Sequence, residues 1–316
     1  MTSEPSDEIV VVGGGVVGLT TALALAERGR RVRVWTRDAV EATTSAVAGA
    51  LWWPYRIQPV EQARAWALRS LAVYQELAAE SGASGVRLVE GVLGGTRLDE
   101  VDGWLAGRVP DLRAATAAEF DGTGVRLRLP LIDMPAHLPW LRERLRAAGG
   151  VVETRTVSSF AEADAPVVVN CTGLAARELV PDPSVRPVRG QLVVVENPGI
   201  DTWLVGDDAG GEHAYLFPQP GGLVLGGTAE EDVWSLEPDP AAAEAIVRRC
   251  ARLRPEIAGA RVLEHRVGLR PTRPAVRLER DVLPDGRLLV HNYGHGGAGV
   301  TVAWGCAREA ARLATG

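Results

Sequence analysis

Two stretches of the 316-residue chain combine residue types that could do chemistry. The first is His291-Asn292-Tyr293-Gly294-His295-Gly296-Gly297-Ala298-Gly299-Val300-Thr301, fed by the apolar run Leu288-Leu289-Val290. Four glycines in six residues let backbone come very close to something flat or charged. The helix expected after them, carrying Trp304 and Cys306, aims free N–H groups and its positive dipole end at the same place. The second stretch is Gly268-Leu269-Arg270-Pro271-Thr272-Arg273-Pro274. Its Arg270 offers a planar fork that matches a carboxylate in two parallel hydrogen bonds. Read alone, however, Arg270 fits a structural arginine held by an acid across a domain boundary better. Read alone, Tyr215, in His213-Ala214-Tyr215-Leu216-Phe217-Pro218, is a core tyrosine with a wet hydroxyl. His291 and His295 have no carboxylate or cysteine partners nearby in sequence, so no metal set is expected of them.

A third stretch must hold whatever these residues act with. Ile9-Val10-Val11-Val12-Gly13-Gly14-Gly15-Val16-Val17-Gly18 reads as a strand, a glycine turn and a helix start. A second strand, Arg31-Val32-Arg33-Val34-Trp35, follows on schedule. Gly13 would allow the tight turn, Gly15 would let backbone meet a pyrophosphate, and Gly18 would let helix and strand pack closely. The alternative is a glycine-rich βα turn with no ligand. The acid that usually ends the second strand and meets a ribose stands one place late, as Asp38, with Arg37 in its position. Arg37 could stack on adenine, meet a phosphate or simply be surface charge. Thr43-Thr44-Ser45-Ala46-Val47-Ala48-Gly49-Ala50-Leu51-Trp52-Trp53-Pro54-Tyr55 reads as a small-residue ribbon running along a cofactor into an aromatic cluster.

The remaining pattern supplies the scaffold. Helices are expected over 60–80, within 104–120, over 137–148 and over 241–253, and strands over 86–97, 125–131, 151–157 and 167–170. From Arg186 to Pro220 short strands and turns suggest an antiparallel meander. A strand from Val262 to Leu269 is expected to break at the prolines and resume at Val276. Hydrophobic residues at 46% and charged residues at 23% are ordinary for a globular protein, and 316 residues suit two domains. The net charge of -6 argues against nonspecific nucleic-acid binding, and no apolar run approaches a membrane span. Met1 to Glu8 is unlike a signal peptide, Ala314-Thr315-Gly316 is not a peroxisomal address, and Cys171, Cys250 and Cys306 lack metal spacing. A cytoplasmic location is expected. All 34 basic residues are arginine, which excludes lysine Schiff-base chemistry and a Walker phosphate loop.

Taken together, the glycine turn, Val47 to Tyr55, Val169-Asn170-Cys171-Thr172-Gly173, Arg189-Gly190-Gln191, Gly268 to Pro274 and His291 to Gly299 closely resemble the D-amino acid oxidase family. The matches are collinear from about Ile9 to Leu313, and the last motif is the specific one. The resemblance implies an α/β fold: a discontinuous Rossmann-like FAD-binding domain (1–55, 130–185 and 280–316) and an α+β substrate domain on an antiparallel sheet (56–129 and 186–279). It implies non-covalent FAD and oxidation of a D-amino acid, neutral or basic, by hydride transfer from Cα to flavin N5. Molecular oxygen is then the second substrate and gives hydrogen peroxide; the imine hydrolyses to a 2-oxo acid and ammonia. A homodimer is compatible with it.

By motif, Arg270 and Tyr215 would hold the substrate carboxylate and the Gly297 carbonyl the amine. Leu51, Trp53, Tyr55, Val205 and Phe217 would line the side-chain pocket. Cofactor contacts would come from Gly13, Gly15, Val16, Val17, Gly18, Arg37, Asp38, Thr43, Thr44, Gly49, Ala50, Leu51, Val157, Thr172, Arg270, Gly296, Gly297, Ala298, Gly299, Val300 and Thr301. The Thr301 hydroxyl and the helix N-terminus would face charge on the reduced flavin. One departure is Asp207-Asp208-Ala209-Gly210-Gly211-Glu212, which lacks the second tyrosine that relatives carry on a mobile lid; the displaced acid at 38 is another. The readings kept beside this one are D-aspartate oxidase (with Arg56, His213 or Arg277 as the extra cation), glycine or sarcosine oxidase, a nicotinamide-dependent dehydrogenase, and a flavin binder without turnover.

Overall fold

A computed structural model describes residues 8–80, 82–207 and 211–316. The strands in chain order are β1 (Glu8–Val12), β2 (Arg31–Thr36), β3 (Val86–Gly94), β4 (Arg113–Ala114), β5 (Gly124–Ile132), β6 (Val151–Thr154), β7 (Val167–Asn170), β8 (Arg186–Val195), β9 (Trp203–Asp207), β10 (His213–Gln219), β11 (Gly222–Gly226), β12 (Glu230–Glu231), β13 (Val262–Val282) and β14 (Leu288–His295). The helices are α1 (Val16–Ala26), α2 (Val60–Ala79), α3 (Leu98–Leu105), α4 (Met134–Ala147), α5 (Ala176–Leu179), α6 (Pro240–Leu253) and α7 (Gly299–Thr315). The central lid residues Asp208 to Gly210 lie outside the described residues.

These strands form one sheet, ordered β4-β5-β3-β9-β10-β11-β8-β13-β14-β7-β1-β2-β6, with β12 on β8. From β14 to β6 neighbouring strands are parallel. The near-continuous apolar runs of β1 and β7 fit a sheet covered on both faces, while β6 at its edge is exposed. Helix α1 is buried on almost every residue, as an apolar helix must be, and packs on α7. From β13 through β8, β11, β10 and β9 the sheet is antiparallel, as the meander pattern expects.

Several local expectations are corrected. The break expected at 270–275 does not occur: β13 is continuous over 21 residues, pairing with β8 to Thr272 and with β14 from there on. The prolines cost a register shift between Thr272 and Arg277 rather than the strand, because Pro274 can sit where no ladder donor is needed. Strand β6 stops at Thr154, where Arg155 leaves the sheet edge to lay its guanidinium 3.9 Å from the Trp35 ring centroid. Strand β3 ends at Gly94 before Gly95, whose φ is +71°. The helix expected within 104–120 instead ends at Leu105, followed by Gly107 at φ +70°. Helix α4 starts three residues early, at Met134, with Pro135 in its first turn.

One core histidine makes stability depend on pH. His137 on α4 is fully buried, donates through Nδ1 to the Ser84 carbonyl at 2.8 Å, and has no partner at Nε2. Burial lowers its pKa from 6.5 to about 4, so the ring is neutral in the fold. The unfolded chain binds its proton near 6.5, so this contribution is complete above that pH and is lost as pH falls toward 4, by about 3 kcal/mol in all. Thermal melts from pH 7 to 4 should show Tm falling across this window, and His137→Leu should flatten the fall.

Candidate functional site

The parallel strands deliver their chain to one edge. Val12, Thr36 and Arg37, Cys171 and Thr172, and His295 and Gly296 all open into a single cavity of about 1490 Å³. Ligands of open α/β sheets bind at this carboxyl edge. The volume exceeds the ~300–1,000 Å³ of an ordinary small-molecule pocket, which suits a dinucleotide with a second molecule beside it.

At one end the cavity is built from bare backbone. Gly13 adopts φ +119°, and a β-carbon there would collide with the Cys171 carbonyl. A β-carbon on Gly18 would collide with the Gly13 carbonyl, so α1 can cross β1 this closely only without one. Helix α1 begins with no side-chain cap on Gly15 and no acid in its first turn. Its Val16 N–H donates to Ser45 Oγ at 3.0 Å, and the helix start faces the cavity with the positive end of its dipole. At the end of β2, Arg37 grips Asp38 Oδ2 through Nε at 3.0 Å and Nη2 at 2.8 Å. Both residues line the cavity, and each is the other's ion-pair partner.

The other end is made by the antiparallel strands. Arg270 on β13 is half-buried and donates through Nη1 to the Thr228 carbonyl at 3.1 Å. Among the described residues its guanidinium has no carboxylate partner. Three residues on, Arg273 has one: Asp182, at 2.8 Å, which also accepts from the Tyr293 hydroxyl at 2.7 Å. Burial pushes the Asp182 carboxyl up, but hydrogen bonds from Ser184, Tyr293 and Arg273 outweigh it and hold the carboxyl far below the usual range. The structural arginine of this motif is therefore Arg273. Arg270 instead lines the cavity. Gly190, two positions along β8 from Val188, the strand partner of Arg270, lies under it, and a β-carbon there would occupy the guanidinium's place.

Tyr215 on β10 stacks on Phe217, with centroids 4.8 Å apart and planes at 19°. Burial raises its pKa, against a smaller opposing effect of Arg270, so it faces the cavity as a protonated donor. Across from them Gly297 sits against Tyr55, close enough that a β-carbon would lie 2.6 Å from the ring.

The fold of the site and its chemistry agree with what the chain resembles in sequence. Residues 8–313 match the DAO family, described as FAD dependent oxidoreductase. The chain belongs to that family. It is 75% identical over 316 residues to a D-amino-acid oxidase of Streptomyces coelicolor, covering 100% of this chain and 99% of the relative. A D-amino-acid oxidase of Rubrobacter xylanophilus is 52% identical over 310 residues, covering 96% and 95%. Among solved structures, glycine oxidase from Bacillus cereus superposes with a TM-score of 0.80 at 18% identity, covering 97% of this chain and 94% of that one, a likeness of fold.

FAD is the cofactor of this DAO chain, and the cavity fits it: bare glycine backbone and a helix start with no acid in its first turn at one end, a second compartment at the other with an arginine that has no carboxylate partner among the described residues. Of the residues expected to contact it, Gly13, Gly15, Val16, Val17, Gly18, Arg37, Asp38, Thr43, Thr44, Gly49, Ala50, Leu51, Val157, Thr172, Arg270, Gly296, Gly297, Gly299, Val300 and Thr301 line the cavity. So do Tyr215, Trp53, Tyr55, Val205 and Phe217. Ala298 does not; it is wholly buried in the main core. It closes a single tight turn, Gly296–Ala298, in which successive side chains point about 120° apart, so one of three must face inward. Thr301 is corrected in part. Its hydroxyl donates to the Trp53 carbonyl at 2.9 Å and accepts the Trp53 N–H at 3.2 Å, leaving backbone N–H groups as the donors facing the cavity. Both ring nitrogens of His291 are engaged, by Asn170 and Asp281. Ser45, Gly190 and Thr228 were given no role by sequence. The first two stand inside quoted motifs; Thr228 acts through its carbonyl, which no sequence signal reveals.

Proposed function

We propose that this chain is an FAD-dependent oxidase of D-amino acids with neutral side chains. The observation that carries the reading is Arg270: a cavity-lining guanidinium with no carboxylate partner among the described residues, next to a tyrosine held protonated. Arg270 would take the α-carboxylate in two parallel hydrogen bonds, and Tyr215 would donate to the same group. The Gly297 carbonyl would accept from the amine. Bound FAD supplies a two-electron acceptor for the substrate Cα–H, and O₂ carries those electrons away as hydrogen peroxide. The chain's own task is alignment: with carboxylate and amine both fixed, one enantiomer presents Cα–H to the cofactor and the other presents its side chain. The amine must be neutral for its lone pair to assist, and no nucleophile is required. The imine then takes up water, giving 2-oxo acid and ammonia. The backbone N–H groups at the α7 start would stabilise negative charge that the cofactor gains.

An acidic substrate would need a second cation in the pocket. Arg277 is turned away, to Tyr293, Glu279 and Asp281, and does not line the cavity. Arg56 and His213 do line it, but each faces an acid already, Glu231 at 3.5 Å and Asp207 at 3.1 Å. We therefore place D-aspartate below D-methionine and D-phenylalanine. The two-domain division, with 1–55, 130–185 and 280–316 holding FAD, belongs to the same proposal. No helix of the described chain is long and apolar enough to cross a membrane. The three free thiols fit a reducing cytoplasm, and sedimentation decides between monomer and homodimer.

The test is a peroxide-coupled panel of D- and L-amino acids, glycine and sarcosine on the purified yellow protein. Turnover of neutral D-amino acids is expected, with D-aspartate weaker. Activity confined to L-amino acids would overturn the orientation argument, and a colourless protein would overturn the cofactor.

A further inference from the structure

One buried cation has no part in the site described above. Arg189 on β8 is 3% exposed. Its guanidinium bonds to the Glu230 carboxylate at 2.7 Å, the Gln191 side-chain carbonyl at 3.0 Å, and the Ser235 and Glu237 main-chain carbonyls at 3.1 and 2.5 Å. Gln191, also buried, donates to the Asp239 carbonyl at 2.8 Å and accepts the Asp239 N–H at 2.8 Å. Two side chains of one central strand thus pin the segment 230–239 along its whole length. Removing such a buried, fully bonded charge would leave its partners unsatisfied, so the segment is held, not hinged.

The pinned segment carries Trp234 and Leu236, which are 52% and 60% exposed and both line the cavity. Large apolar side chains clustered at a cavity mouth mark a place where a ligand covers them. Across the mouth, Arg56 reaches Glu231 at 3.5 Å. Glu231, Val188 and Arg270 stand in one row across three strands. Two strand spacings, ~10 Å, separate the row's ends, so the segment runs two strands away from Arg270. The three acids before Trp234 offer nothing to a basic side chain: Glu230 pairs with Arg189, Glu231 with Arg56, and Asp232 with Arg186.

We propose that the segment 230–239 is a fixed porch over the substrate compartment, with Trp234 and Leu236 as specificity-determining residues that favour large apolar D-side chains. This rests on the D-amino acid oxidase reading and deepens it. The porch would do by rigid placement what a mobile lid does by closing, so its contribution falls on KM and not on kcat.

The test compares kcat and KM of wild type, Trp234→Ala, Leu236→Ala and Val282→Ala on D-alanine, D-methionine and D-phenylalanine. Val282 is exposed outside the cavity and serves as control. Trp234→Ala should lose about tenfold in kcat/KM on D-phenylalanine and D-methionine, through KM, with D-alanine within about twofold. Leu236→Ala should follow in the same direction, and Val282→Ala should change nothing. An active wild type whose phenylalanine-to-alanine ratio survives Trp234→Ala sinks the porch alone. Silence of the wild type toward every D-amino acid sinks the functional reading and the porch with it.

Discussion

Replacing Arg270 with alanine should lower kcat/KM on every D-amino acid by two to three powers of ten, about 3–4 kcal/mol, while the protein still carries its flavin. The guanidinium has no carboxylate to release among the described residues and only neutral partners, the Thr228 carbonyl and Tyr215, so folding depends on it little. Arg270→Lys should recover only a part, since an ammonium cannot offer the parallel fork. Gly190→Ala isolates geometry from charge. The atoms nearest the new methyl all belong to the guanidinium, the far end of a flexible side chain, so the protein should fold while Arg270 is displaced. A loss of the same sign, with Tm nearly unchanged and the flavin spectrum intact, is expected from steady-state peroxide assays beside thermal melts. Equal activity in Gly190→Ala would mean that the arginine's position does not matter.

The second large effect lies at the cofactor's other end. Gly18→Ala places a methyl against the Gly13 carbonyl, which is backbone and cannot swing aside. Overpacking of this kind costs about 3 kcal/mol and would pry the α1 start away from the glycine turn proposed to hold the pyrophosphate. The variant should lose flavin on gel filtration and melt at lower temperature than wild type, read from the 450 nm absorbance of the eluted protein and its Tm. Retained colour would refute the close-packing role of Gly18. The two glycines, 18 and 190, thus separate cleanly: one guards the cofactor and the fold, the other only the substrate's anchor.

Much of this was legible because it is local. Strand, glycine turn and helix follow one another at 9–26, so Gly13 and Gly18 announce their positions within one βαβ unit. Periodicity likewise finds α2 and α6. What residue types alone could not separate, and only the family resemblance did, was Arg270 from Arg273. Both sit in one seven-residue motif, and the difference is Asp182, some ninety residues away and brought in by the fold. Thr301 was misjudged for a similar reason: its partner Trp53 arrives from the far end of the chain. The proline-rich stretch in β13 looked like a stop because propensity weighs Pro271 and Pro274 locally, whereas pairing on both sides carries the strand through. Ser45 and Gly190 were visible as letters but not as contacts.

That unbroken strand has a mechanical consequence. The first half of β13 is zipped to β8, in the antiparallel part of the sheet, and the second half to β14, at the start of the parallel part. Arg270 therefore rides on the same beam that closes the nucleotide fold. Neither half can melt without stripping one flank of that beam, and on heating the flavin absorbance and the circular dichroism signal should be lost at the same temperature, not in two steps. A chain cut in the loop after Val282 would have to surrender both compartments at once.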